Sequence, residues 1–280
     1  MALEADTPDH HRQRSEYIKG IIHRQPRRPS PVLKADSAPK TIVQFWHDFQ
    51  NLPTDVLQCI ESWIHWKKAG YSHRLFDAAG ASCYIEEHLS PRHLSAYRRC
   101  YHPAMQADYF RLCFLHVEGG LYVDADDVCV ASDISPLFKG HELKVQPLCY
   151  DIDSDTMVQP CDFMTPSAPT GNWIFYLNNN PLSAQPGDLI IERALERATQ
   201  CLAEALQGEL PEIQATTGPG NLSRIVFQMG MAGELDNAIV VLKDWSEYAV
   251  SKWPLSYRND DRNWRNSNQQ AFNKGEDKNE

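Results

Sequence analysis

Asp108 and Arg111 stand three residues apart in an otherwise apolar run, and three more carboxylates, Asp124, Asp126 and Asp127, follow shortly after. The stretch from Gln106 to Asp127 reads QADYFRLCFLHVEGGLYVDADD. Two carboxylates separated by one residue can share a hard cation. Mg2+ and Mn2+ favour oxygen ligands and keep positions open for phosphate oxygens, and such a cation neutralises a departing diphosphate. A solvated acidic loop uses the same residues, so the pattern alone leaves both readings open. Charges on an apolar helix need partners. Asp108 and Arg111 would either pair with each other, one turn apart, or face a polar ligand. In the second case Asp accepts from sugar hydroxyls and Arg donates to oxygens.

Positioning these groups takes a helix, a reversal and a strand. Over 103–118 the apolar residues cover most faces, which predicts a buried helix. Gly119 and Gly120 supply a left-handed cap and a tight turn, and 121–123 reads as a short strand that stops at Asp124. Upstream, the β-branched and aromatic run TIVQFW (41–46) predicts a strand. Residues 53–69 carry helical spacing, 71–76 a second strand, and 83–89 and 90–99 two short helices. The second of these has Ser90 as N-cap and Pro91 at its first position. Downstream come a turn into a short helix (133–138), an apolar patch (172–177) and an amphipathic helix (186–207). A loop (216–220), a helix (221–229) and a strand (238–242) follow. Strands alternating with helices predict an α/β fold with a largely parallel sheet, in which ligands bind beyond the carboxyl ends of the strands. Residues 1–38 read as a disordered or loosely ordered tail with room for a short helix over 13–23. Residues 39–266 read as one folded domain, and 267–280 as a disordered tail.

The chain has 280 residues, 42% of them hydrophobic, enough to bury a core, and a formal charge of −10 that argues against a nucleic-acid partner. The basic run from His23 to Arg28 lies in a Pro-rich segment and reads as solvated. No run approaches the ~18–20 apolar residues of a membrane-spanning helix, and no apolar leader is visible near the N-terminus. Eight cysteines without a CxxC pair suit reduced, buried thiols. The expected location is the cytoplasm, with a peripheral place at the inner face of a membrane compatible with it.

The order Asp108-x-x-Arg111, then Gly119-Gly120-x-Tyr122-x-Asp124-x-Asp126, resembles the DxD-containing sugar-transferase family of the initiating α-1,6-mannosyltransferase type. More distantly it is similar to the glucosylating domain of large clostridial toxins. Pro39 to Trp46 (PKTIVQFW) looks like that family's opening segment, and Thr217-Gly218-Pro219 like its later T-G-P. The resemblance implies a GT-A-like, Rossmann-like single domain with helices flanking the sheet. It also implies a UDP- or GDP-sugar donor, Mn2+ or Mg2+, and retaining transfer of a hexose to a glycan, lipid-linked or protein acceptor. Carried over by position, Trp46 would stack on the nucleotide base, or else serve as a core aromatic. Asp108 and Arg111 would hold the donor sugar, with Arg111 also facing the departing diphosphate. Asp124 would contact ribose or sugar and Asp126 would ligate the metal. Tyr122 would border the donor or pack, and Asp127 reads as extra and solvated.

The chain departs from the family at its C-terminal end. Relatives place a His-Trp or Ser-Trp pair there, closing over the metal, whereas all eleven histidines here lie at or before His141. Asn263-Trp264 could take that place, with Asn263 as a metal ligand and Trp264 as a cover. Two other readings stay open. Asp124 to Val128 also fits the D-x-D-x-[TV] motif of haloacid-dehalogenase-like phosphatases. A catalytically degenerate protein that binds a nucleotide sugar or a partner would keep the same residues.

Overall fold

The pattern of each apolar run decides where it lies relative to one central sheet. The computed structural model describes residues 8–24, 37–166, 170–206, 208–235, 238–252, 254–260 and 262–263. The first half of the described chain holds α1 (Pro8–His23), β1 (Thr41–Phe45), α2 (Thr54–Ile64), β2 (Ser72–Phe76), α3 (Ala78–His88), α4 (Pro91–Arg98) and α5 (Pro103–Val117). Then come β3 (Gly120–Tyr122), β4 (Asp127–Cys129), β5 (Leu143–Asp151), β6 (Thr156–Met157), α6 (Pro160–Phe163) and β7 (Trp173–Ala184). The remainder is α7 (Leu189–Glu204), α8 (Ile213–Thr216), α9 (Pro219–Met231), β8 (Ile239–Val241) and β9 (Ala249–Ser251).

The fold is α/β, as expected. The seven-stranded sheet has the order β2-β1-β3-β7-β5-β6, with β8 added to β5. The pairings β1–β2, β1–β3 and β5–β8 are parallel. β7 runs against both β3 and β5, and β6 runs against β5. Strands β1, β2, β3, β5 and β8 therefore point the same way, and β6 and β7 oppose them. A second, two-stranded sheet joins β4 to β9, with Asp127 opposite Ser251.

Alternation along the strands sends successive residues to opposite faces. Val43 and Tyr122 enter a large core with Ile18, Phe110, Leu195 and Val226, which is the face covered by α1, α5, α7 and α9. Ile42, Leu121 and Val123 enter a second core with Trp63 of α2, Leu137 and Trp245. The sheet is thus buried on both sides, and all three residues of β3 are buried. The turn into β3 needs glycine twice. Gly119 and Gly120 have φ of +67° and +109°, and a Cβ on Gly120 would lie 2.6 Å from the Thr41 carbonyl oxygen.

Three features depart from the sequence reading. Residues 8–24, expected within a tail, include α1, which docks on β7 and α9. Ile18 and Ile22 are fully buried, the Ser15 hydroxyl accepts from the Phe175 amide at 2.9 Å, and Tyr17 meets Phe227 edge-on. Polar residues on its outer face hide a stripe of three isoleucines, Ile18, Ile21 and Ile22, that docks it. The patch at 172–177 opens a twelve-residue strand, β7, and β5 was not foreseen as a strand. The tail expected over 267–280 lies outside the described residues. Among those described, no helix is long and apolar enough to cross a membrane.

Docking of α1 has a measurable consequence. Ile22→Ala should lower the unfolding free energy in urea by about 2–5 kcal/mol, the usual cost of emptying a filled core site. A loosely attached segment would give no shift.

Candidate active site

The arrangement starts from one buried guanidinium. His102 caps α5 through its ring Nδ1, which accepts from the Ala104 amide at 3.0 Å, and Pro103 opens the helix. Asp108 and Arg111 then project together, one turn apart, and both are buried. Arg111 Nη2 reaches Asp108 Oδ1 at 3.0 Å and Asp124 Oδ1 at 2.9 Å. Its Nη1 donates to the Asn179 carbonyl of β7 at 2.5 Å. The Tyr122 ring lies beneath, 4.2 Å from the guanidinium carbon. Burial works to lower the Arg111 pKa, but the surrounding anionic groups, Asp124 first, outweigh it and raise it. Burial raises the Asp108 carboxyl, while Arg111 and the Asn179 amide, which donates to Oδ1 at 2.8 Å, pull it back. Of the two carboxylates, Asp124 faces the cleft: 34% of its side chain is exposed, against 10% for Asp108.

Behind Asp108 stands the Thr217-Gly218-Pro219 segment. Thr217 donates to Asp108 Oδ2 across a long 3.4 Å. A Cβ on Gly218 would come within 3.2 Å of that oxygen and 3.0 Å of Gln214 Cα. Glycine is therefore what lets the start of α9 close on the carboxylate.

The loop after β3 is clamped along its backbone. Asn180 Oδ1 accepts from the Asp124 amide at 2.9 Å, and its Nδ2 donates to Asp127 Oδ2 at 2.8 Å. Gln44 Nε2 donates to the Asp124 carbonyl at 3.1 Å, leaving Gln44 Oε1 to accept from His73 Nε2 at 2.8 Å. Burial holds the His73 ring neutral, with its pKa down to about 4. Asp127 corrects the sequence reading: it is fully buried, not solvated. It also accepts from the Ser251 hydroxyl of β9 at 2.5 Å, and its carbonyl accepts from the Trp63 indole at 2.9 Å. Burial raises its carboxyl, and the neighbouring Asp126 and Asp124 charges push the same way.

Asp126 turns the other way, toward the C-terminal segment. Its Oδ2 accepts from the Tyr257 hydroxyl at 2.7 Å and from Arg258 Nη2. Trp46 is buried nearby, edge-on to Tyr257 at 5.2 Å, with the Arg262 guanidinium 6.0 Å from its ring. Asn263 Nδ2 donates to the Arg258 carbonyl at 2.9 Å.

A single cleft of about 910 Å³ gathers the sequence-derived residues Trp46, Asp108, Arg111, Tyr122, Asp124, Asp126 and Asn263. Trp264 lies outside the described residues. The Tyr122 hydroxyl is close enough to Asp124 to feel its charge but lacks hydrogen-bonding geometry. Gln44, Asn179, Asn180, Ser251 and Arg258 were missed from sequence. A visible signal existed for two of them: a run of three asparagines, Asn178 to Asn180, interrupts a strand that is apolar on both sides.

Residues 53–141 match the family described as glycosyltransferase sugar-binding region containing DXD motif. The match covers less than a third of the chain and marks that segment as similar to a glycosyltransferase sugar-binding region. The matched segment holds Asp108, Arg111, Tyr122, Asp124 and Asp126, while Trp46 and Asn263 lie outside it. Among solved structures, PaToxG Glycosyltransferase is similar, at 15% identity and a TM-score of 0.46, over 81% of this chain and 78% of that one. No curated protein matches the chain.

Arg111→Ala would leave two carboxylates without their shared counter-charge. The expected cost is about 3–5 kcal/mol of stability, the usual penalty for breaking a buried pair. The sign of the pH dependence follows from the two carboxyls. Their folded-state pKa values, already raised by burial, would rise further in the variant. A group raised in the fold adds stability below its unfolded pKa and loses it as pH climbs. The deficit should therefore be smaller in mild acid than at neutral pH, as urea unfolding at both would read.

Proposed function

We propose that the chain moves a hexose from a UDP- or GDP-sugar to a glycan, lipid-linked or protein acceptor, with Mn2+ or Mg2+ and with retention of configuration. One observation carries this reading. Around the end of β3, four carboxylates (Asp108, Asp124, Asp126 and Asp127) stand against two guanidiniums (Arg111 and Arg258). Two negative charges are left over beside a cleft. Buried charge of that kind is relieved by protons or by a bound cation, and the raised carboxyls of Asp124 and Asp127 reflect the first. A divalent cation provides the second. The donor set is hard oxygen, the Asp126 carboxylate and the Asn263 amide, which suits Mg2+ or Mn2+. Among the described residues no group of three His, Cys, Asp or Glu is placed to hold a metal, so phosphate oxygens and water would complete the shell.

In this reading a bound cation supplies charge neutralisation to the leaving diphosphate. The protein's own residues do the positioning. Asp108 and Asp124 accept from donor hydroxyls, each aligned by Arg111, whose Nη atoms are already committed to them and to the Asn179 carbonyl. Arg111 therefore acts through the carboxylates. Trp46, largely buried, borders the cleft where the base would lie, and Tyr122 forms the floor under Arg111. Much of the rate would come from orientation and prearranged charge. The eight free cysteines support a reducing, cytoplasmic setting.

The test is donor hydrolysis. UDP- and GDP-sugars are incubated with the protein in Mn2+ or EDTA, and free nucleoside diphosphate is measured. Release from one donor, abolished by EDTA, is the expected result. Asp126→Asn should cut that release by on the order of 100-fold or more; because it also removes the charge partner of Arg258, the variant is assayed well below its own unfolding midpoint. Full release by the variant would sink the site assignment.

A further inference from the structure

One oxygen of Asp126, the carboxylate that would meet a metal, is already held. Arg258 Nη2 pairs with Oδ2, and both side chains are nearly buried, 13% and 12% exposed. The Tyr257 hydroxyl shares the same oxygen. This arrangement is built rather than incidental. Arg258 sits on a short turn, Ser256–Asn259, whose first residue is pinned to Asp55: the Ser256 amide donates to Oδ2 at 2.7 Å and its hydroxyl to Oδ1 at 3.0 Å. Leu255 is buried just before it. The β4–β9 pairing and the Lys252 amide, 3.3 Å from the Asp126 carbonyl, hold the preceding segment against the carboxylate loop.

A divalent cation on either oxygen of the Asp126 carboxylate would lie close to the Arg258 guanidinium, and the two positive charges would repel. The backbone of the turn is anchored, so the Arg258 side chain can change its partner without carrying the turn away. A guanidinium displaced inside the cleft needs a new anion. Its planar fork matches phosphate oxygens in pairs, and the nearest anion in the donor reading is the diphosphate that the same metal would meet. We propose that Arg258 is a resident counter-cation of the cleft. It holds Asp126 while no metal is bound, and it turns onto the donor's diphosphate when a divalent cation takes that carboxylate. This rests on the donor and metal reading above, and it makes Arg258 a substrate-binding residue that lies outside the matched DxD region.

The experiment is a pair of binding titrations on the full chain. Mn2+ alone is titrated by electron paramagnetic resonance, and UDP and GDP are titrated by calorimetry at saturating Mn2+. Arg258→Ala should bind Mn2+ about tenfold tighter or more, and the diphosphate about tenfold weaker or more, the scale of one charge-assisted hydrogen bond. Arg258→Gln keeps a hydrogen bond to Asp126 without the charge, protects against loss of the turn, and should shift both affinities in the same directions. Unchanged Mn2+ affinity in both variants overturns the inference, and so does unchanged diphosphate affinity. If neither the wild type nor the variants bind Mn2+ or either diphosphate, the functional reading itself falls, and this inference with it.

Discussion

The site depends on one buried cation, Arg111. It ties a helix (Asp108), the end of a strand (Asp124) and a neighbouring strand running the other way (the Asn179 carbonyl) into one unit. Burying a guanidinium is expensive and is offset only when its hydrogens are matched by well-placed acceptors. Here they are, and the Tyr122 ring fills the space beneath. The pairing still leaves one carboxylate more than it neutralises. A protein selected for stability alone would be better served by apolar residues in these places. The imbalance makes sense if the missing charge or hydrogen-bond donors arrive with a ligand.

β7 is the second necessity. By running against its neighbours it places Asn179 and Asn180 at the level where β3 ends. Asn179 then serves Arg111 with its carbonyl and Asp108 with its amide. Asn180 fixes the loop of carboxylates at both ends, through the Asp124 amide and the Asp127 side chain. With Gln44 holding the Asp124 carbonyl from the opposite neighbour, the loop's shape is dictated by side chains from three strands. The result is a division of labour among adjacent aspartates. Asp127 is consumed by structure, Asp124 is half committed, and Asp126 is turned toward the C-terminal segment, where Tyr257 and Arg258 hold it.

What could be read from the sequence was what local pattern encodes. The buried helix α5, the glycine pair, the strand that follows and the carboxylates at its end all lie within one continuous stretch, Pro103 to Asp127. Apolar spacing and turn chemistry suffice there. The strands β5 and β7 were obscured because Pro147 and the Asn178-to-Pro181 run interrupt their apolar character. The short helix allowed over 13–23 was legible, but its docking was not, because polar residues surround its few buried isoleucines. The roles of Gln44, Asn180, Ser251 and Arg258 are hidden for a different reason, even where the asparagine run marks a position. Each is defined by a carboxylate or carbonyl between 53 and 132 positions away in the chain, and no local pattern records such a partner. Asp127 was misjudged on the same ground: adjacency to Asp126 does not say which carboxylate turns inward.

The two arginines of the cleft are held in opposite ways. Arg111 emerges from the middle of a long helix, is held by three acceptors on three elements, and stacks on a buried ring. Changing its partners would mean moving the sheet. Arg258 emerges from a four-residue turn and meets a carboxylate that also accepts from a tyrosine. Its neighbours, rather than its own side chain, bear the anchoring hydrogen bonds to Asp55. The same charge is therefore held rigidly at one end of the cleft and replaceably at the other. A cleft that must admit a highly charged ligand and release a charged product needs both kinds. The rigid arginine keeps the carboxylates in register, and the replaceable one shields them until the ligand arrives.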